Sequence, residues 1–246
     1  MKKILCKYYG GSHLYGTNTP ESDLDIRGVF VYNDPLVLLG FMKESPEVTQ
    51  NEEVDISLKG INDFIRLLMK GNTEAMECIY APNSSFIELN DDFNSYIRGN
   101  PEKFIDSEKL YKCFKGYIQG ERLLANATRT GKLGGKRKES IERWGFSPKN
   151  FSHLLRLTFC CEYFFTNRIY PVKIKDFNLD IYNLCFSIKT NPSEYTRDQL
   201  NELSYDFENK MDIAYNKKDF VLVPNLDHIR DTIISLHKGV IDNMKI

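Results

Sequence analysis

Hydrophobic and polar residues alternate along three short segments in the first third of the chain, a pattern typical of half-buried β-strands. The segments are KILCKYY, DLDIRGVFVY and EEVDISL. In the third segment, alternation puts Val54, Ile56 and Leu58 on one face. We therefore expect three strands that are neighbours in one sheet.

The spacing of the apolar residues becomes helical after this third segment. One helix is predicted in KGINDFIRLLMKG, where Gly71 supplies a C-terminal stop and one face carries Ile61, Phe64, Ile65 and Leu68. A second, shorter helix is predicted in NTEAMECIYAP. The predicted strands thus end before these helices begin.

In the rest of the chain, the apolar residues have helical spacing wherever they recur regularly. A last helix is predicted after VPNLDH. The apolar positions of the clearest segments are Leu110, Phe114 and Tyr117; Phe151, Leu154, Leu155 and Phe159; and Leu200, Leu203, Phe207 and Met211. Strands first and helices afterwards predict an α+β fold. We place a sheet-containing domain at residues 1–105 and an all-helical domain at 106–246, divided at the polar, turn-rich stretch RGNPEKFIDSEK.

Composition narrows the class of protein. With 41% hydrophobic and 27% charged residues the chain is a globular protein, and it has no run approaching the ~18 apolar residues of a transmembrane helix. The start, MKKILCKYYGG, lacks the apolar core of a signal peptide, so we expect a cytoplasmic protein with no membrane partner. The six cysteines form no Cys-x-x-Cys pair, which favours free, mostly buried thiols over a zinc or redox site.

Two carboxylates one residue apart open the second predicted strand, in GGSHLYGTNTPESDLDIRGVFV. Alternation puts Asp23, Asp25 and Arg27 on one face, while Leu24 and Ile26 face the core. Like charges this close repel unless a cation neutralises them, and hard oxygen ligands suit Mg²⁺ or Mn²⁺. The alternative is a polar strand entrance that is capped by the turn TPESD.

A glycine turn lies shortly before these carboxylates. Gly10, Gly11 and Ser12 allow a tight bend, so that backbone N–H groups and a hydroxyl can face a phosphate where a short helix begins. Ser12 as a simple helix cap is the alternative. We predict a phosphate site beside the metal site.

The order of these parts resembles the signature of the DNA-polymerase-β-type nucleotidyltransferase superfamily: Gly11-Ser12, a ten-residue gap, then Asp23-Leu24-Asp25-Ile26. The family has a third carboxylate on a later strand, which Asp55 matches, with Glu53 on the same face as the alternative. Three stretches, GSHLYGTNTPESDLDIRGVF, LLMKGNTEAMECIYAP and FSPKNFSHLLRL, are similar to a branch of predicted nucleotidyltransferases, some of them associated with RNA repair. The resemblance implies a polymerase-β-like mixed sheet, with the helical domain completing the nucleotide and acceptor cleft.

The resemblance also implies roles for the carboxylates. Asp23 and Asp25 would hold the metal that carries a nucleoside triphosphate, and Asp55 would join them in binding a second ion near the acceptor hydroxyl. Two ions about 3.5 to 4 Å apart stabilise both the attacking and the leaving oxygen. Arg27 either steadies a phosphate or pairs with Asp25. His13 invites a general-base role, but two-metal transfer needs no imidazole and we interpret it as a loop residue.

One predicted helix carries a basic face. Lys149, His153 and Arg156 fall at positions i, i+4 and i+7 of SPKNFSHLLRLTF, so they share a side of the helix. The resemblance, in which this segment lines the nucleotide cleft, favours a phosphate clamp. A solvated outer face is the alternative.

A second basic feature lies in TGKLGGKRK, although the net charge of the chain is only −1. Lys136, Arg137 and Lys138 form the centre of a local basic patch that we predict to be a loop contacting nucleic acid. A solvated, glycine-containing loop is the alternative.

The sequence thus favours an enzyme that transfers a nucleoside monophosphate from a triphosphate to a hydroxyl, with RNA as the preferred acceptor. The same chemistry on a protein or small molecule, for example AMP transfer, is the runner-up. A catalytically silent nucleotide-binding module is a third hypothesis, and the presence of all three carboxylates argues against it.

Overall fold

The structure, a computed structural model, describes residues 2–20, 22–32, 34–38, 41–42, 45–50, 54–128 and 135–241. The chain forms two compact units: unit 1 comprises residues 1–110 and 221–246, and unit 2 comprises residues 111–220. The fold is α+β, as predicted, with one sheet and a largely helical remainder. No helix among the described ranges is both long and apolar enough to cross a membrane.

Unit 1 is built on a five-stranded mixed sheet with the strand order β3-β4-β2-β1-β5. The strands are β1 (Lys2–Tyr9), β2 (Leu24–Tyr32), β3 (Glu47–Gln50), β4 (Val54–Gly60) and β5 (Phe86–Leu89). β2 runs parallel to β4, and the other neighbouring pairs are antiparallel. The three predicted strands correspond to β1, β2 and β4. Sequence patterning missed β3 and β5, because four residues are too few to establish an alternation.

Short helices surround this sheet in unit 1. They are α1 (Gly11–Tyr15), α2 (Pro35–Leu38), α3 (Ile61–Met69), α4 (Thr73–Tyr80), α5 (Asp91–Phe93), which continues into a π-helical turn at Asn94–Arg98, and α11 (Leu226–Ile241). The four apolar residues predicted to share one face of α3 are all buried. Gly71 follows this helix with φ +73°, and the side chain of Asn72 caps α4 by accepting from Ala75 N–H at 3.1 Å.

Unit 2 is helical and begins within α6 (Ser107–Ala125). Its other helices are α7 (Gly135–Trp144), α8 (Pro148–Asn167), α9 (Leu179–Thr190) and α10 (Arg197–Lys217). Helix α8 is buried around most of its circumference, since Phe151, Leu154, Leu155 and Phe159 are joined in the core by Cys160 and Cys161. α8 packs against both α9 and α10 and forms the centre of the unit.

The division into residues 1–105 and 106–246 differs from the units of the structure, because the C-terminal segment belongs to unit 1. The carbonyl of Leu222 accepts a hydrogen bond from the backbone N–H of Ser107 at 3.1 Å, and Asn225 N–H donates to the carbonyl of Lys103 at 2.8 Å. α11 then packs against β2. The hydrophobic period of a terminal helix shows that the helix has an apolar face, but it does not show against which unit that face packs.

Candidate active site

Two of the predicted carboxylates lie side by side on the parallel strands β2 and β4. The register pairs Asp25 with Asp55, and direct partners on neighbouring strands project to the same face. Both side chains are partly buried, Asp25 being 24% and Asp55 30% exposed. Glu53, the alternative to Asp55, lies outside the described residues.

The guanidinium group of Arg27 lies against both carboxylates. Its Nη2 donates to Asp25 Oδ1 at 2.8 Å and to Asp55 Oδ2 at 3.3 Å. Burial acts to lower the pKa of Arg27, but Asp25, Glu74 and Asp55 together raise it above its ordinary value. The structure therefore shows the pair with Asp25 that was one of the two alternatives for Arg27, extends it to Asp55, and places one positive charge at the carboxylates.

Helix α4 supplies two acidic residues that sequence reasoning missed. Glu74 Oε1 lies 3.9 Å from Arg27 Nε and also pairs with Lys59 Nζ. Glu77 is 5% exposed and accepts a hydrogen bond from the hydroxyl of Tyr15, in α1, at 2.8 Å. Two acids three residues apart lie on one side of a helix. Their presence in the largely apolar segment TEAMECIY is the sequence feature that could have identified them.

The glycine turn before α1 touches the carboxylate strand directly. The backbone N–H of Gly10 donates to the carbonyl of Asp25 at 2.8 Å. Gly11 has φ +55°, and a Cβ at this position would lie 2.1 Å from Asp25 Oδ2. Glycine is thus required at residue 11 both by the left-handed backbone and by the closeness of the carboxylate.

The two residues that follow the glycine turn, Ser12 and His13, lie within α1. Gly10 is the N-cap and Ser12 is the second helical residue, so Ser12 does not occupy the cap position that we considered for it. His13 is also helical, which corrects its interpretation as a loop residue. The short helix that we predicted to begin at this turn is thus α1, although its five residues are too few to show a clear apolar period.

Asp23 lies outside the strand, since it precedes Leu24, the first residue of β2, and it is exposed. Within the described ranges, no three or more His, Cys, Asp or Glu side chains are grouped as metal ligands. The chemistry of Asp25 and Asp55 nevertheless fits a hard divalent ion, because their oxygens already converge on one cationic group. The metal roles of Asp23, Asp25 and Asp55 stay predictions.

The predicted basic face of α8 is incomplete. Lys149 is exposed and the side chain of His153 is 39% exposed, but Arg156 is only 3% exposed. Burial raises the pKa of Cys185, in α9, to about 12, while the nearby Arg156 acts to lower it. Because α9 packs against α8, Arg156 is not accessible alongside Lys149 and His153, and the role of the three cations in binding phosphate stays a prediction.

A partly buried carboxylate lies against the N-terminal part of α8. Glu121, from α6, accepts a hydrogen bond from Asn150 Nδ2 at 2.7 Å and lies 3.6 Å from His153 Nδ1. Burial raises the pKa of Glu121, but His153, Asn150 and Arg137 outweigh it and hold the pKa below its ordinary value. His153 is therefore oriented by Glu121 within unit 2.

The basic run at residues 136–138 is helical, whereas we predicted a loop. It forms the first turn of α7, whose composition, KRKESIERW, favours a helix. Lys138 Nζ lies 3.8 Å from Glu142 Oε1, one helical turn further on, and its side chain is 65% exposed. Cations in the first turn of a helix lie at the positive end of its dipole.

The chain is similar to known proteins both in sequence and among solved structures. Over 126 residues the chain is 29% identical to an uncharacterized 38.9 kDa protein of Enterobacteria phage T4, which is encoded in the nrdC-mobD intergenic region. The match spans 48% of this chain and 37% of the phage protein, so the chain spans well under half the length of this relative.

One of these solved structures is a nucleotidyltransferase-like protein from Exiguobacterium sibiricum, 9% identical, which covers 96% of this chain and 74% of its own with a TM-score of 0.29. The model of a family described as the RNA repair pathway DNA polymerase beta family matches residues 2–212, which include both strands with the paired carboxylates, β2 and β4. This confirms the resemblance that the carboxylate signature indicated. The chain belongs to the RNA repair pathway DNA polymerase beta family.

Proposed function

We propose that this protein is a metal-dependent nucleotidyltransferase that moves a nucleoside monophosphate from a triphosphate to a hydroxyl group. One observation carries the proposal: in a chain of this family, Asp25 and Asp55 converge across parallel strands on a single cation. A polymerase-β-type enzyme needs paired carboxylates in such a position, because its reaction requires divalent metal beside the transferred phosphate.

Asp25 and Asp55 would hold Mg²⁺ or Mn²⁺, with Asp23 as the further ligand of a two-ion site. When bound, the metal neutralises phosphate charge and assists ionisation of the acceptor hydroxyl. Gly11 would present backbone to the triphosphate, with the Ser12 hydroxyl beside it, at the turn that already contacts Asp25. In unit 2, Lys149 and His153 are the accessible members of the proposed nucleotide clamp, and Arg156 would act from a buried position.

RNA is the acceptor that we propose, and two observations support it. The family is described by its place in RNA repair, and the first turn of α7 carries the basic run Lys136, Arg137 and Lys138. Phosphate groups neutralise such a run and release counterions, so binding weakens as salt concentration rises.

The salt dependence of RNA binding tests whether RNA is the acceptor. Changing Lys136, Arg137 and Lys138 together to Gln should reduce the slope of log affinity against log salt for single-stranded RNA by about 0.7 per lost phosphate contact. The matched control replaces three basic residues of α10, Arg197, Lys210 and Lys217, which gives the same change in net charge and should leave the slope unaltered. An unchanged slope in the α7 variant would remove the support for RNA and favour a protein or small-molecule acceptor.

A further inference from the structure

We propose that Arg27 is the resident counter-ion of the Asp25–Asp55 pair, and that a metal–polyphosphate complex displaces it far more readily than a bare metal ion does. The inference rests on the proposed function and concerns the regulation of that same site. Arg27 Nη2 lies 2.8 Å from Asp25 Oδ1 and 3.3 Å from Asp55 Oδ2, which puts a positive charge where a shared metal ion would have to bind.

The charge and the partial burial of Arg27 make it compete with a metal ion for the two carboxylates. The side chain of Arg27 is 20% exposed, so its ion pairs are less screened than those of surface residues. A divalent ion that bound both carboxylates would face the guanidinium at close range, and like charges in a partly buried site repel strongly. The guanidinium must therefore leave the carboxylates before a metal ion can bind both of them.

Next to the displaced guanidinium lies a further carboxylate, Glu74, whose Oε1 is 3.9 Å from Arg27 Nε. That carboxylate is already paired with Lys59 Nζ. Metal alone would consequently leave Arg27 poorly compensated, because one carboxylate would serve two cations. An additional anion is needed to complete the exchange.

The glycine turn indicates where that anion would meet Arg27. A Cβ on Gly10 would lie 2.8 Å from Arg27 Cγ, so the aliphatic stem of Arg27 packs against the turn proposed to face the triphosphate. A guanidinium that pivots on this stem stays beside the turn. Arginine binds phosphate oxygens with paired donors, and a polyphosphate that arrives with the metal would thus replace the carboxylates as the partner of Arg27.

The test compares two ligands on the full-length protein: bare Mn²⁺, followed by the electron paramagnetic resonance signal of the free ion, and Mn²⁺ with a non-hydrolysable ATP analogue, followed by equilibrium dialysis. Arg27→Gln should bind bare Mn²⁺ about 10-fold more tightly and the complex about 10-fold more weakly than wild type, because one substitution removes both a competitor and a phosphate ligand. Lys7→Gln is the matched control. It removes a cation of the same sheet that pairs with Glu88 and not with Glu74, and should shift either affinity by less than about threefold.

Binding of bare Mn²⁺ by Arg27→Gln no tighter than by Lys7→Gln would overturn the inference, as would wild-type affinity of Arg27→Gln for the complex. If Arg27→Gln does not fold, Arg27→Lys replaces it: one ammonium group cannot donate as a planar fork, so bare Mn²⁺ should bind more tightly than to wild type, and unchanged affinity is the contrary result. Failure of the proposed function looks different, since neither wild type nor either Arg27 variant would then bind Mn²⁺ or the complex.

Discussion

At the scale of single residues, the position of Asp25 depends on the backbone of Gly11. Residue 11 has φ +55°, a conformation that glycine adopts without the steric cost of a side chain, and its Cα lies close to the Asp25 carboxylate. Asp25 in turn meets Asp55 through the guanidinium of Arg27. The carboxylate pair, the cation and the turn therefore form one connected structure.

Gly11→Ala is expected to lower the free energy of unfolding by about 1 to 2 kcal/mol through the left-handed backbone alone. It should also weaken Mn²⁺ binding, because the added Cβ would lie 2.1 Å from Asp25 Oδ2 and that carboxylate would have to rotate away. Urea denaturation and Mn²⁺ titration measure the two effects.

Gly120→Ala is the control for this substitution, since residue 120 lies in α6 and no atom outside that helix would lie within 4 Å of the new Cβ. This variant should keep wild-type Mn²⁺ binding and gain about 0.5 to 1 kcal/mol of stability. Wild-type Mn²⁺ affinity in Gly11→Ala would show that the turn does not position Asp25.

The residue-level pattern could be predicted from the sequence only in part. Alternation predicted that Asp25 and Arg27 share a face, and the observed register adds Asp55. It could not show that Arg27 bridges the two acids, because that contact depends on the pairing of β2 with β4, which no local period encodes. Glu74 was missed for the same reason, since its contact with Arg27 crosses from a helix to the sheet.

At the scale of elements, α6 and α10 of unit 2 are joined by a network of ion pairs. Glu208 pairs with Lys115 and Arg122, and Lys115 Nζ also lies 3.1 Å from Asp212 Oδ2. Burial raises the pKa of Glu208, but Lys115 and Arg122 outweigh it and hold the pKa below its ordinary value. The ionised form of Glu208 therefore stabilises the contact between these two helices.

Glu208→Gln should lower the free energy of unfolding at pH 7 by about 1 to 2 kcal/mol, between the values for exposed and buried pairs. Since the folded pKa of Glu208 is depressed, its contribution is full above the ordinary glutamate pKa of about 4.3 and is lost as pH falls through the lowered value. The difference between wild type and variant should thus shrink below about pH 4.3.

Thermal unfolding from pH 7 to pH 3 measures this difference. Glu202→Gln, at an exposed position of the same helix, is the control and should change the stability little at any pH. A gap between Glu208→Gln and wild type that stays constant down to the lowest pH would show that Glu208 does not stabilise the fold through its charge.

Helices could be predicted from the sequence where the regular spacing of apolar residues extends over several turns. α3 and the apolar faces of α8 and α10 follow their hydrophobic spacing, whereas α7 was predicted to be a loop because the glycines before it outweighed its helix-forming residues. Arg156 shows a second limit: its spacing from Lys149 and His153 is correct for one face, but α9 packs over it. Periodicity gives the face of a helix and not its neighbours.

At the scale of the whole molecule, the chain leaves unit 1 through α6 and returns to it at residue 221. The paired carboxylates and the glycine turn lie in unit 1, while the basic features of α7 and α8 lie in unit 2. The α+β class followed from the order of strands and helices. The return of α11 could not be predicted, because it depends on backbone hydrogen bonds between residues far apart in sequence, such as Ser107 and Leu222.

Pyrophosphate release from each of the four ribonucleoside triphosphates, with Mg²⁺ and with or without RNA, tests the proposed activity most directly. Wild type should release pyrophosphate with at least one of them, and Asp25→Asn and Asp55→Asn should each reduce the rate by about 100-fold or more. Asp63→Asn removes an acid of α3 whose side chain is 46% exposed and pairs with Arg66, and should retain the wild-type rate. Release by Asp25→Asn or Asp55→Asn at the rate of Asp63→Asn, or no release by wild type with any triphosphate, would contradict a nucleotidyltransferase site at this carboxylate pair.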